Sequence, residues 1–120
     1  MNLQRGTAGV LLVEDELLIA CLMEDMLREL GFRNIHIASS LMQAVELLVS
    51  RVVDLGILDV NVGKDLVFPL ACELKTRKVP IVFATGRAPS DLPPEWTTCP
   101  VLPKPVDMAV LTRTIGAFGF

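Results

Sequence analysis

Apolar and polar positions follow two alternating patterns along the chain. Short, nearly uninterrupted apolar runs are separated by longer segments in which apolar positions recur three or four residues apart. The short runs are typical of strands buried on both faces of a sheet, and the longer segments are typical of amphipathic helices. Their alternation predicts βαβ units and a parallel sheet that is covered on both sides.

The pattern predicts strands at 10–13, about 35–38, 55–59, 79–83 and about 100–102, and helices at 16–30, about 41–48, 66–76 and about 107–115. Gly31 suits the position that follows a helix, and Ser39 or Ser40 suits a helix N-cap. Pro69 is expected in the first turn of the third helix, where a missing N–H costs least. These elements predict an open, doubly wound α/β sheet whose functional residues lie beyond the carboxyl ends of the strands.

Residues 87–99 interrupt the alternation. They contain Pro89, Pro93 and Pro94 and have no helical period. We therefore expect a mobile loop with at most one short helical turn in place of a regular fourth helix. The chain has no internal repeat and no linker composition, so residues 1–120 are interpreted as a single domain.

The composition narrows the possible functions. The 120 residues are 52% hydrophobic and 21% charged, with a net charge of −3. These values suit a globular domain and argue against nucleic-acid binding, because no basic stripe is available to neutralise phosphates. Cys21, Cys72 and Cys99 accompany a single histidine, His36, so neither a disulfide framework nor a zinc site is favoured, and the expected compartment is the reducing cytoplasm. The sequence also lacks a signal-peptide h-region and an apolar run long enough to cross a membrane.

Polar residues with chemical potential stand where the predicted strands end. Glu14 and Asp15 follow the first strand, Asp59 ends the third, Thr85 follows the fourth and Lys104 follows the fifth. Since the strands are parallel, these side chains are expected at one edge of the sheet. Taken singly, each is an ordinary helix-capping, turn or loop residue. Their joint occurrence at the ends of four strands favours a functional site.

The three carboxylates would repel one another unless a cation compensated them. Mg²⁺ suits Glu14, Asp15 and Asp59, because it prefers oxygen ligands and keeps several waters. The backbone carbonyl of Asn61 is placed to join them. With this cation, Lys104 and the Thr85 hydroxyl nearby, Asp59 is equipped to attack phosphorus as a nucleophile and form an aspartyl phosphate.

The sequence strongly resembles the receiver domains of bacterial two-component response regulators, through motifs that span nearly the whole chain: Val13-Glu14-Asp15-Glu16, Leu58-Asp59-Val60-Asn61, Thr85-Gly86 and Lys104-Pro105. The resemblance implies a flavodoxin-like fold with strand order 2-1-3-4-5 and a cis Lys104-Pro105 bond. It also implies that Asp59 is phosphorylated from the phosphohistidine of a histidine kinase. Mg²⁺ would be bound through Asp15, Asp59 and the Asn61 carbonyl, with Glu14 acting through water.

Residues 80–86, PIVFATG, look like the P-x-x-F-A-T-G signature of alphaproteobacterial single-domain receivers. That likeness implies a kinase of the HWE or HisKA_2 group. Since only about 15 residues follow Lys104-Pro105, enough for one helix, we expect a stand-alone receiver, a monomer or weak dimer, that signals through a protein partner. Three positions depart from the receiver pattern. Arg87 replaces a tyrosine-like residue, Val101 replaces the aromatic three residues before the lysine, and Pro103 precedes the lysine. Val101 leaves the usual threonine–aromatic switch in question and directs attention to residues 87–99.

Three other functions fit these residues less well. A metal-dependent phosphohydrolase usually carries a second acid two residues after its nucleophile, and here that position is Asn61. A degenerate receiver that only binds partners is disfavoured by the intact Asp59, Asp15, Thr85 and Lys104, although Val101 favours it weakly. A nucleotide- or flavin-binding domain would be expected to carry a glycine-rich phosphate loop after the first strand, and this chain has none there.

Overall fold

The computed structural model describes residues 4–86 and 91–120. Its helices are α1 (Leu17–Glu29), α2 (Leu41–Ser50), α3 (Phe68–Thr76) and α4 (Met108–Gly116), and a 3₁₀-helix covers Pro94–Trp96. Its strands are β1 (Gly9–Val13), β2 (Asn34–Ala38), β3 (Leu55–Asp59), β4 (Asn61–Val62), β5 (Asp65–Leu66), β6 (Ile81–Thr85) and β7 (Val101–Pro103). The elements alternate as the hydrophobic pattern predicts.

Five of these strands form one parallel sheet in the order β2-β1-β3-β6-β7. Counted in chain order without the short β4 and β5, this is the predicted order 2-1-3-4-5, and the flavodoxin-like fold is confirmed. The register places Val13 beside Leu58, and Asp59 beside Ala84. The carboxyl ends of the central strands are therefore level at one edge.

The sheet separates two apolar layers, as alternating side chains on its strands require. Leu11, Leu58 and Phe83 face a layer that includes α2 and α3. Leu12 and Ile57 face the opposite layer, which includes α1 and α4. Every residue of β1, β3 and β6 is buried. The three central strands are thus rigid supports for whatever side chains extend from their ends.

Several boundaries differ from the sequence prediction by one or two residues; the fourth predicted strand, for example, ends at Thr85 instead of 83. Two of the differences have a clear structural cause. The third helix begins at Phe68 instead of 66, because β4 and β5 pair as a small antiparallel hairpin over residues 61–66. Pro69 does lie in the first turn of that helix. The fourth predicted strand begins at Ile81 instead of 79, because the Val79 N–H bonds back to the Leu74 carbonyl at the end of α3.

The described part of the 87–99 segment contains a short 3₁₀-helix over Pro94–Trp96 and no α-helix, which confirms the irregular fourth helix there. Residues 87–90 of that prediction lie outside the described residues. Trp96 is 2% exposed, and its ring packs edge-on against Phe83 and stacks on Phe68, at centroid distances of 5.8 and 6.1 Å. Its indole belongs to the core. Among the described residues, no helix combines the length and the apolar character needed to cross a membrane.

Candidate functional site

The carboxyl edge of the parallel sheet holds a cleft of about 410 Å³, and all but one of the site residues predicted from the sequence line it: Asp15, Asp59, Asn61, Thr85 and Lys104. Glu16, Gly63 and Gly86 complete its walls. Glu14 lies directly behind this surface, in contact with Lys104. The strand ends therefore converge as the topology predicts.

Two of the site residues are the last residues of buried central strands. Asp59 ends β3 and is 9% exposed, and Thr85 ends β6 and is 2% exposed. The Thr85 carbonyl accepts a hydrogen bond from the Lys104 N–H at 3.2 Å, which fixes the start of the following loop. The Lys104-Pro105 peptide bond is cis, as the family resemblance implies.

Lys104 supplies the compensating charge that a carboxylate at a buried strand end requires. Its Nζ donates to Oε1 of Glu14 at 2.5 Å and to Oδ2 of Asp59 at 2.9 Å. The side chain of Lys104 is 16% exposed, that of Glu14 is 1% exposed and that of Asp59 is 12% exposed. A shielded ion pair of this kind is held by charge-assisted hydrogen bonds that water competes with weakly.

Burial and charge act in opposite directions on this cluster. Burial raises the pKa of Glu14, and the opposing hydrogen bonds from Lys104 and from the Glu16 N–H do not cancel that effect. Burial lowers the pKa of Lys104, but its hydrogen bonds to Glu14 and Asp59 outweigh burial and leave that pKa above its ordinary value of 10.5. Both pKa values therefore lie above their ordinary values, that of Glu14 because of burial and that of Lys104 because of its two carboxylate partners.

The acidic residues are close enough to share one cation. Glu14, Asp15 and Asp59 each offer a carboxylate oxygen, and the three oxygens lie within 4.8 Å of one another. An all-oxygen donor set fits a hard divalent ion such as Mg²⁺. Asn61 lines the same cleft as the first residue of β4. The residues present thus fit the cation that the sequence suggested.

One contact at the site is absent from the sequence prediction. The backbone N–H of Gly63, in the β4–β5 hairpin, donates to Oδ2 of Asp15 at 2.8 Å. A glycine between short β-prone pairs is a signal for a tight hairpin turn. The sequence therefore contained a sign of the turn, but not of its contact with Asp15.

The arrangement has a counterpart among known proteins. A family model described as the response regulator receiver domain matches residues 10–115. The chain belongs to this family. Receiver domains are the signalling domains of two-component systems rather than classical enzymes; histidine kinases phosphorylate them, and they bind Mg²⁺ at an acidic pocket.

Solved receiver structures have the same fold. The solution structure of SdrG from Sphingomonas melonis Fr1 is 33% identical to this receiver, with a TM-score of 0.81, and the match covers 92% of this chain and 94% of SdrG. TrrA from Thermotoga maritima, determined in complex with Mg²⁺-BeF, is 25% identical, with a TM-score of 0.79 and coverage of 92% and 98%. A CheY-like receiver from Methylobacillus flagellatus is 24% identical, with a TM-score of 0.80 and coverage of 92% and 97%. No curated protein matches this receiver significantly.

The position that often carries an aromatic in receivers has a different environment here. Val101 is half-buried on β7 and pairs in register with Phe83 of β6. The ring of Phe83 in turn packs against Trp96. The aromatic bulk beside β6 and β7 is therefore contributed by Phe83 and Trp96 in this receiver.

Proposed function

We propose that this receiver accepts a phosphoryl group on Asp59 from the phosphohistidine of a histidine kinase, in a reaction that requires Mg²⁺, and that it signals through a protein partner. The observation that carries the proposal is the ion pair between Lys104 and Asp59 inside the Glu14-Asp15-Asp59 cluster. That geometry joins a nucleophilic carboxylate, a fixed positive charge and a set of oxygen ligands for a cation in one cleft.

The transfer forms one bond and breaks another. A carboxylate oxygen of Asp59 attacks the phosphorus, the P–N bond of the phosphohistidine breaks, and the imidazole keeps the electron pair of that bond. Lys104, already 2.9 Å from the Asp59 carboxylate, would neutralise charge on the transferred group. The Thr85 hydroxyl would donate to a phosphoryl oxygen. In this way the receiver assists its own phosphorylation and, with water as the attacking group, its own dephosphorylation.

Asp15, Asp59 and the carbonyl of Asn61 would bind Mg²⁺ directly, with Glu14 acting through water. When bound, the ion would neutralise carboxylate charge and the charge that develops on the phosphoryl group. Glu14 suits the indirect role because it is 2% exposed and already accepts hydrogen bonds from Lys104 and from the Glu16 N–H. Asn61 at the position two residues after Asp59 offers no general acid, which favours a long-lived phosphoryl group over rapid hydrolysis.

We further propose that the receiver belongs to the single-domain group with the P-x-x-F-A-T-G signature, that it works in the cytoplasm as a monomer or weak dimer, and that its kinase is of the HWE or HisKA_2 type. The support is the PIVFATG sequence at residues 80–86 and the 33% identity to SdrG. The irregular segment before β7, with its short 3₁₀-helix, agrees with this assignment.

The test is the intact mass of the protein after incubation with a small phosphodonor, with and without Mg²⁺. The wild type should gain one phosphoryl group only with Mg²⁺, and Asp59→Asn should gain none. Asp65→Asn, which removes an exposed carboxylate on the neighbouring hairpin, is the matched control and should behave as the wild type. Labelling that persists in Asp59→Asn would reject the acceptor. No labelling of the wild type, either with the phosphodonor or with a panel of HWE and HisKA_2 kinases, would leave a phosphate-independent binding module as the better account.

A further inference from the structure

The β4–β5 hairpin contacts the acidic cluster through a backbone atom. The hairpin follows Asp59 with only Val60 between them, and its Gly63 N–H lies 2.8 Å from Oδ2 of Asp15. Asp15 itself is exposed, in the bend after β1, so packing does little to hold its side chain. The hydrogen bond from Gly63 to Asp15 joins the hairpin to the bend after β1, although the two residues are 48 positions apart in sequence.

The hairpin is well anchored beneath its turn. Val62 and Val67 are 2% and 0% exposed, and the Val67 N–H bonds to the Val60 carbonyl at 3.0 Å. Val62 pairs with Asp65, which leaves Gly63 and Lys64 as a two-residue turn. A buried residue on each side of the turn fixes where the turn amides point.

The turn requires glycine and leaves its amide available. Gly63 has a φ of +61°, and Lys64 is not among the residues with positive φ. A two-residue hairpin with positive φ at the first position only has the signature of a type II′ turn, in which glycine is strongly favoured there. The closing hydrogen bond of such a turn joins the residues that flank it, so it does not use the first turn amide. In this chain that amide donates to Asp15.

We propose that Gly63 is a positioning residue of the Mg²⁺ site, whose N–H holds Oδ2 of Asp15 and leaves the other carboxylate oxygen for the cation. The inference rests on the proposed function and adds a part to its metal site. A ligand side chain that is already fixed loses less rotamer freedom when the metal binds, and hydrogen bonds to ligating carboxylates commonly set metal affinity. The hairpin would thus tie Asp15 to the same loop that supplies Asn61.

The proposal is tested by removing one hydrogen-bond donor of the turn, the N–H of Gly63. Chemical synthesis with ligation at Cys72 can replace the Gly63 amide by an ester, which keeps glycine geometry but deletes the N–H donor. The matched control carries the same ester at Lys64, one residue further along the turn. Mg²⁺ affinity is measured by titration, and the melting temperature of each protein is measured without metal.

We expect the Gly63 ester to bind Mg²⁺ about 10-fold more weakly than the wild type, and the Lys64 ester to bind as the wild type does. In the NMR spectrum of the wild type, the Gly63 amide should exchange slowly with solvent both without Mg²⁺ and at saturation. Equal affinity in the Gly63 ester, equal loss in both esters, or fast exchange of that amide at saturation would overturn the proposal. A wild type that binds no Mg²⁺ would instead reject the proposed function, and this inference with it.

Discussion

Lys104 reaches Asp59 across an intervening strand. Lys104 directly follows β7, Asp59 is the last residue of β3, and β6 lies between these two strands in the sheet. Nζ of Lys104 nevertheless lies 2.9 Å from Oδ2 of Asp59. The extended lysine side chain therefore passes over the end of β6, where Thr85 is the last residue. The Lys104 side chain thus connects β7, β6 and β3 at the edge of the sheet where the phosphoryl transfer is proposed.

Removing the positive charge of Lys104 should destabilise the metal-free protein. Lys104→Met would leave Glu14 and Asp59 shielded from water without their partner, and we expect the free energy of unfolding to fall by about 2–3 kcal/mol. Mg²⁺ should then raise the melting temperature of the variant by more than it raises that of the wild type, because the ion replaces part of the lost charge.

Urea unfolding with and without Mg²⁺ measures both effects. Lys64→Met, which removes an exposed lysine at the tip of the hairpin, is the control and should change the free energy of unfolding by no more than about 0.5 kcal/mol. If Lys104→Met is as stable as this control, the ion pair is not a determinant of the fold.

Trp96 should contribute strongly to stability although it lies in an irregular segment. It is 2% exposed and contacts the rings of Phe68 and Phe83. We expect Trp96→Ala to lower the free energy of unfolding by about 3–5 kcal/mol, and Trp96→Phe to lower it by clearly less, because the smaller ring still fills part of the space. Denaturant unfolding followed by circular dichroism measures both values, and a loss below about 1 kcal/mol for Trp96→Ala would contradict the core position.

His36 should titrate below its ordinary pKa of 6.5, because burial lowers its pKa and the charge of Arg51 lowers it further. The folded protein then takes up its proton at lower pH than the unfolded chain does. The stability that His36 contributes is therefore fully present above pH 6.5 and declines as the pH falls from 6.5 towards the folded pKa. Because the chain has a single histidine, NMR titration of its imidazole signals measures the pKa directly.

Arg51→Gln should move the pKa of His36 back towards 6.5, and Arg113→Gln on α4 should leave it unchanged. A pKa that is identical in Arg51→Gln and the wild type would show that the arginine charge has no part in the shift.

Gly9 should not tolerate a side chain. A Cβ at this position would lie 1.9 Å from the Val52 carbonyl oxygen, which is a backbone atom that cannot rotate away. The strand is also fixed there by hydrogen bonds with Asp54, from the Gly9 N–H to Oδ2 at 2.8 Å and from the Asp54 N–H to the Gly9 carbonyl at 2.7 Å. We expect Gly9→Ala to lower the free energy of unfolding by about 3 kcal/mol.

Gly116→Ala is the matched control for this prediction. No atom lies within 4 Å of a Cβ at Gly116, and the residue ends α4. Alanine there should leave stability unchanged or raise it by up to about 1 kcal/mol, because glycine is a poor helix former. In thermal unfolding, Gly9→Ala should therefore melt below the wild type, and Gly116→Ala should not. A Gly9→Ala variant that melts as high as Gly116→Ala would show that Gly9 is not crowded.

The sequence allowed the sheet and the main residues of the cleft to be predicted for one physical reason. Buried parallel strands need continuous apolar runs, so a charged residue at the end of such a run, as at Asp59, marks both the strand end and the site. Parallel topology then places Lys104 near that end without any knowledge of side-chain geometry. The confirmed strand order made this reasoning reliable.

The missed features depend on backbone atoms and very short elements. The strands of the β4–β5 hairpin have only two residues each, too few to show a period, and the contact from Gly63 to Asp15 uses an N–H that nearly every residue possesses. The start of β6 was misplaced because Val79 is apolar like a strand residue, while its N–H bonds to the preceding helix. Hydrophobic patterns carry information about side chains, whereas these features depend on hydrogen bonds of the main chain, so the patterns do not predict them.

The short edge strand β7 also limits how this protein can meet others. Its hydrogen bonds to β6 use the Pro100 carbonyl and the Lys104 N–H, so the alternate residues Val101 and Pro103 direct their backbone groups outwards. Proline has no N–H, which leaves Val101 as the sole amide donor that β7 presents on that flank. A strand of another protein could not extend the sheet at β7, because too few backbone N–H donors are exposed there. Partners on this side must therefore recognise side chains and helices, and the same proline protects the domain against stacking edge to edge with its own copies.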